Sequence, residues 1–195
     1  MLAIFRRRPE DSSLFERPDV ERGVVQDSPS VKRRRRFLRW AQVIPQDQED
    51  GRVWLKVSVR GDGRCMFRAI ARGLADCNGL ELSNEHETMD ADKLRVKACQ
   101  CLKNEKRECF VQNGLLEEGI DEYCKKMVNP SFYGGEPELY LLSEYLKRPI
   151  HVYIPGKKQG EYKRLLEYGG TEVEKDAINL LFNMKDHYDL LIINC

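Results

Sequence analysis

Histidine is scarce in this chain: His86, His151 and His187 are its only three, and tryptophan occurs twice in 195 residues. Any imidazole-dependent acid–base step must therefore fall to one of three positions. Long apolar stretches are missing too, and no run approaches the roughly 20 residues of a helical membrane span. The start, Met1-Leu2-Ala3-Ile4-Phe5-Arg6-Arg7-Arg8, puts apolar residues ahead of its charges and is too short for a secretory h-region. Glu10, Asp11, Glu16, Asp19 and Glu21 follow at once, which argues against an organellar transit peptide. A charge excess is absent: 33 Lys+Arg against 32 Asp+Glu leave +1, so net charge gives no reason to expect a nucleic-acid partner. CxxC and HExxH spacings do not occur, and Cys99 and Cys101 diverge on a predicted helix, so no metal or other cofactor is expected. Gly61-Asp62-Gly63 lacks the further glycine and Lys-Ser/Thr of a phosphate cradle.

The seven cysteines are odd in number and irregular in spacing, which argues against a secreted disulfide framework. With no leader expected, the reading is a cytoplasmic or nuclear protein. Asn129-Pro130-Ser131 has proline in the position that forbids glycosylation. Residues 1–50 carry charge clusters and few periodic apolar positions, and are read as a mostly disordered tail; residues 51–195 form the domain. Within the tail, residues 32–40 (Lys32-Arg33-Arg34-Arg35-Arg36-Phe37-Leu38-Arg39-Trp40) suit a nuclear-import signal, a nucleic-acid or anionic-lipid contact, or a solvated linker. Phe37, Leu38 and Trp40 alternatively dock the tail onto the domain. A monomer is expected.

The domain opens with an alternating, β-branched stretch at 53–59, predicted as a strand. After the turn Arg60-Gly61-Asp62-Gly63-Arg64, a helix is predicted from Cys65, with Met66, Ala69, Ile70, Gly73 and Leu74 on one face. A polar stretch around Asn84-Glu85-His86-Glu87 precedes a second helix bearing Leu94, Ala98, Cys101 and Leu102. Leu116, Ile120, Tyr123, Cys124 and Met127 mark a third. A fourth begins near Glu136-Pro137, where proline costs no hydrogen bond, and buries Leu139, Leu142 and Leu146. Strands follow at 150–154, 163–168, 178–182 and 188–193. Helices first and strands last indicate an α+β class.

Cys65 differs from the other cysteines by its position at a predicted helix start. There the unpaired amides and the macrodipole favour the nucleophilic thiolate. Glycines let the preceding turn curl so that amides of Asp62 to Cys65 point at a developing oxyanion. The alternative is a buried small hydrophobe after an ordinary turn. Of the three histidines, His86 lies in a polar loop and His151 reads as a satisfied core residue. His187 stands two before Asp189 in a strand-like segment, hence on the same face, where a carboxylate fixes the tautomer of the imidazole. The alternative is a surface turn with two unrelated charges.

Three segments in order resemble the motifs of the ovarian tumour (OTU) cysteine proteases, mostly deubiquitinases. They are Asp62-Gly63-Arg64-Cys65-Met66-Phe67-Arg68-Ala69, Phe132-Tyr133-Gly134-Gly135-Glu136-Pro137-Glu138-Leu139 and His187-Tyr188-Asp189-Leu190. The chain is especially similar to plant single-domain members. The resemblance implies a papain-like fold with a central, mostly antiparallel sheet flanked by helices. It implies Cys65 as nucleophile, His187 as general base, Asp189 as the residue orienting it, and Asp62 as the signature aspartate whose backbone helps form the oxyanion pocket. Gly63, Arg64, Tyr133, Gly134 and Gly135 would line the oxyanion and substrate channel, the last two glycines reading equally as a helix-entry turn. Tyr133 departs from the tryptophan usual in the family, which implies a local packing change. The implied partner is ubiquitin, and the implied reaction is hydrolysis of ubiquitin isopeptide bonds. A catalytically silent ubiquitin-binding module of the same fold, and an adaptor acting through residues 32–40, are the competing readings.

Overall fold

A computed structural model describes residues 42–43, 54–158, 160–169 and 177–193, with the backbone alone for 42, 43 and 193. The basic run at 32–40 and the expected domain boundary near residue 50 lie outside the described residues. In chain order the elements are β1 (Gln42–Val43), β2 (Trp54–Val57), α1 (Cys65–Asp76), α2 (Asn84–Cys101), a π-helical turn (Leu102–Lys106), α3 (Arg107–Gln112), α4 (Ile120–Met127), α5 (Glu136–Leu146), β3 (Ile150–Pro155), β4 (Tyr162–Tyr168), β5 (Ile178–Phe182) and β6 (Tyr188–Ile193).

The strands form one sheet in the order β1-β4-β3-β5-β6-β2. Among the described strands only β3 and β5 pair in parallel; the other neighbours are antiparallel. Helices against a mostly antiparallel sheet give the α+β, papain-like arrangement expected. β1 falls within the stretch read as a tail and pairs with the outer edge of β4.

α1 is the centre of the molecule. It packs on β5, β6 and α2, and nearly every residue from Cys65 to Ala75 is buried. Gly73 permits this approach: a Cβ there would lie 2.7 Å from Ile178 Cγ2 and 3.1 Å from Leu190 Cδ1. Any side chain would push the helix off the sheet. Arg68, on the same helix, is buried because its charge is met by Asp62 and Glu87.

Several local expectations are corrected. The first strand ends at Val57 rather than 59, because the Val59 amide leaves the ladder and donates to Asp189 Oδ1 at 3.1 Å. Asn84-Glu85-His86-Glu87 is the first turn of α2, not a loop before it. Ser83 caps that turn by accepting from the His86 amide at 3.2 Å, and Glu85 and Glu87 suit the positive end of the dipole. Leu116 precedes α4, whose entry is set by Gly119 in an extended conformation. The π-helical turn and α3 have no counterpart in the sequence reading. Charges at Lys103, Glu105, Lys106, Arg107 and Glu108 mask the period, although Phe110 is buried. The described cysteines are all free thiols. Among the described residues no helix is long and apolar enough to cross a membrane.

Candidate active site

The fold brings two distant pieces of chain to one place. Cys65 starts α1, and its Sγ lies 3.8 Å from the carbonyl oxygen of Asp186. The next residue, His187, precedes β6 and places Nε2 3.0 Å from Asp189 Oδ1. The His187–Asp189 pairing expected from two-residue spacing is thus present as a contact.

Asp189 is a buried carboxylate with three partners. Oδ1 accepts from the Val59 amide and faces His187, and Oδ2 meets Lys56 Nζ at 2.7 Å. Burial by itself raises its pKa, but Lys56, the Val59 amide and His187 together hold it below the usual carboxylate value. It is therefore ionised at neutral pH and oriented from both sides. With Nε2 turned to Asp189, Nδ1 is the imidazole nitrogen left for the thiol. Gly61 lies beside it, so that even a Cβ there would be 3.8 Å from Nδ1.

The thiol is at rest. Burial pushes Cys65 above its ordinary pKa, outweighing the Tyr188 and Met66 amides, which donate to the sulfur; the charges of Asp62 and Asp186 push the same way as burial. The helix-start environment expected to favour the thiolate is present, but desolvation is the larger effect.

Asp62 faces two arginines. Its carboxylate is held by Arg68 through two bonds of 2.9 and 2.7 Å, with Arg64 3.7 Å away. Burial opposes ionisation there, yet Arg68, Arg64 and Arg60 lower the pKa. Its amide donates to the Arg60 carbonyl at 3.0 Å, closing a tight turn. In this structure the Asp62 N–H is thus committed within the turn rather than aimed at the sulfur, which departs from the expected oxyanion role. Gly63 and Arg64 follow in the same turn. Gly63 is buried against the 130–131 backbone, where a Cβ would meet Ser131 C at 2.6 Å. Arg64 is half-buried and pairs with Asp92 at 2.8 and 3.0 Å. Gly134 lies against Met66 and Phe67, Gly135 is the N-cap residue of α5, and the Tyr133 side chain is exposed.

Sequence reasoning missed two residues that shape this place. Asn183 Oδ1 accepts from the amides of Lys185, Asp186 and His187 at 2.9, 3.0 and 3.1 Å, which folds the loop that presents the histidine. An asparagine four before the histidine, just after a strand, is a legible turn signal. Arg95 is buried on α2 and reaches the carbonyls of both the nucleophile turn and the 127–132 segment. No pattern in sequence marks it. His86 is bonded to Ser83 at 3.1 Å, and His151 lies 3.6 Å from Glu167, so neither takes part.

A buried thiol at a helix start, bonded to the loop that presents a histidine–carboxylate pair at the mouth of an antiparallel strand, fits the arrangement of the papain-like cysteine proteases. The family model described as OTU-like cysteine protease matches residues 60–188. The chain belongs to that family. It is 35% identical over 153 residues to OVARIAN TUMOR DOMAIN-containing deubiquitinating enzyme 3 of Arabidopsis thaliana, a match covering 68% of this chain and 65% of that protein. With deubiquitinating enzyme 4 of the same plant it shares 33% identity over 139 residues, 71% of this chain and 43% of that protein. The chain thus spans less than two thirds of the length of these relatives. Among solved structures, the OTU domain of OTUD1 superposes with a TM-score of 0.59 at 20% identity, covering 83% of this chain and 93% of that one. The Hazara virus OTU, solved bound to ubiquitin, gives 0.59 at 18%, covering 89% and 97%. These last two likenesses are of fold.

Proposed function

We propose that this domain is a deubiquitinase, hydrolysing the isopeptide bond between the ubiquitin C-terminal glycine and a lysine amine. The observation that carries the reading is that Cys65, at the start of α1, bonds the carbonyl of Asp186, the residue before His187, which itself pairs with Asp189. Its support is family membership, together with relatives named as deubiquitinating enzymes and a fold neighbour solved with ubiquitin.

The reaction starts from a neutral thiol bonded to the Asp186 carbonyl. Cys65 rotates to His187 Nδ1, gives up its proton, and attacks the glycine carbonyl. Asp189 stabilises the imidazolium that results. The amides of Gly63, Arg64 and Cys65 hold the oxyanion, because the Asp62 amide is already bonded. The lysine amine leaves with the proton from His187, and a thioester to Cys65 remains. Water, deprotonated by His187, then releases ubiquitin. Gly63, Arg64, Tyr133, Gly134 and Gly135 line the channel for the extended ubiquitin tail, where small residues let backbone approach backbone. Asp62 acts through Arg68 on the turn, as a positioning residue.

An electrophilic ubiquitin C-terminal probe tests this, with the adduct read by intact mass. Labelling is expected at Cys65 and is lost in Cys65→Ala and His187→Ala. Absence of an adduct with folded wild-type protein refutes the reading. Ubiquitin binding without turnover of any diubiquitin identifies the silent module instead, and the same panel reports linkage preference.

A further inference from the structure

The peptide between Gly63 and Arg64 is gripped at both ends by one face of α2. Arg95 Nη2 donates to the Gly63 carbonyl at 2.9 Å and to the Pro130 carbonyl at 3.3 Å. Nη1 donates to the carbonyls of Met127 at 2.9 Å and Phe132 at 2.7 Å. The guanidinium also lies 4.5 Å over the Phe67 ring. One turn earlier on the same helix, Asp92 holds the Arg64 side chain with two bonds of 2.8 and 3.0 Å.

Arg95 is 1% exposed, and its hydrogen-bond acceptors among the described residues are carbonyls and the Met127 sulfur rather than a carboxylate. Burying a cation in this way is a poor route to stability. What a planar fork of donors does well is fix several acceptors at set angles. A trans peptide is rigid, with its C=O and N–H pointing in opposite directions. Holding the Gly63 oxygen toward the 127–132 segment therefore turns the Arg64 N–H away from it.

We infer that Arg95, assisted by Asp92, is a positioning residue that holds the Gly63–Arg64 peptide so that the Arg64 amide donates to the oxyanion. The same guanidinium ties the nucleophile turn to the 127–132 segment, so the pocket and the adjoining channel wall form one unit. This rests on the reading of Cys65 as an acyl-accepting nucleophile, but not on ubiquitin as the substrate.

The test compares two reactions of the same thiol. Acylation of Cys65 by p-nitrophenyl acetate passes through an oxyanion, whereas alkylation by iodoacetamide does not. Cys65→Ala supplies the background from the other cysteines. In Arg95→Lys, which keeps the charge but not the fork, the ratio of acylation to alkylation is expected to fall about 10- to 100-fold. Asp92→Asn, at a half-exposed side chain, is expected to lower it about threefold or more with the fold intact. Circular dichroism confirms folding, and if Arg95→Lys does not fold, Asp92→Asn decides. An unchanged ratio in the folded variants overturns the inference, as does a wild-type Cys65 that alkylates but does not acylate. Ester turnover without ubiquitin cleavage in the wild type refutes the deubiquitinase reading alone.

Discussion

Replacing Asp189 with asparagine probes what the buried carboxylate contributes, since the shape is kept and only the charge is lost. Its side chain is 8% exposed, with His187 Nε2 at 3.0 Å, the Val59 amide at 3.1 Å and Lys56 Nζ at 2.7 Å. An asparagine oxygen can still serve Val59 and His187, while its NH2 faces Lys56, which is 44% exposed and free to turn into water. A hydrogen bond to a charged group contributes about 1.5–3 kcal/mol, against about 0.5–1.5 for a neutral one. The missing 1–2 kcal/mol or so corresponds to a kcat/KM lower by about 5- to 30-fold. Asp189→Ala should be worse in a second way, because the Val59 amide loses its acceptor, destabilising the fold by about 1–3 kcal/mol.

The pH dependence has a definite sign. The folded-state pKa of Asp189 is depressed below the ordinary 3.8. Its charge therefore stabilises the fold fully above that value, and the contribution is lost as pH falls through the folded pKa. The stability gap between wild type and Asp189→Asn should be constant through neutral pH and shrink below about pH 4. A fluorogenic ubiquitin substrate measures the first effect, and urea unfolding at pH 7 and pH 3.5 the second. Activity of Asp189→Asn within about twofold of wild type would refute the view that this charge supports the imidazolium.

Gly134→Ala would place a methyl group against Met66 and 2.9 Å from Phe67 Cε2, where both neighbours are buried. Overpacking there should cost about 1–3 kcal/mol, read as a lower melting temperature, and an unchanged melt would show that the wall yields. Arg68→Met removes the cation from Asp62 and Glu87 while Arg72 stays on Glu87. A loss of about 3 kcal/mol in urea unfolding is expected, at the low end for a broken buried pair; a neutral outcome would mean that Asp62 and Glu87 find water.

The candidate residues Cys65, His187 and Asp189 were legible because their placement depends on local rules, and their roles came from the family resemblance. A thiol at a helix start, and alternation that puts residues two apart on one face, are properties of a few neighbouring positions. α1, β5 and β6 were legible for the same reason. α2 was drawn too short because a Ser83 cap and a charged first turn look like a loop until the hydrogen bond is seen.

Tertiary structure decided what depends on residues far apart in the chain. The Val59 amide, 130 residues from Asp189, stops β2 and fixes the carboxylate in one step. Burial, which no local pattern measures, raises the Cys65 pKa despite its helix start. The Asp62 amide was diverted to Arg60, and the Asp62 carboxylate was drawn to Arg68. Arg95 gains its place only when α2 packs over the nucleophile turn and the 127–132 segment together. The sequence by itself determined the class of fold and the candidate site residues. Packing decided how deeply Cys65 is buried and which carbonyls Arg95 holds, because desolvation and carbonyl orientation are set by contacts across the whole fold.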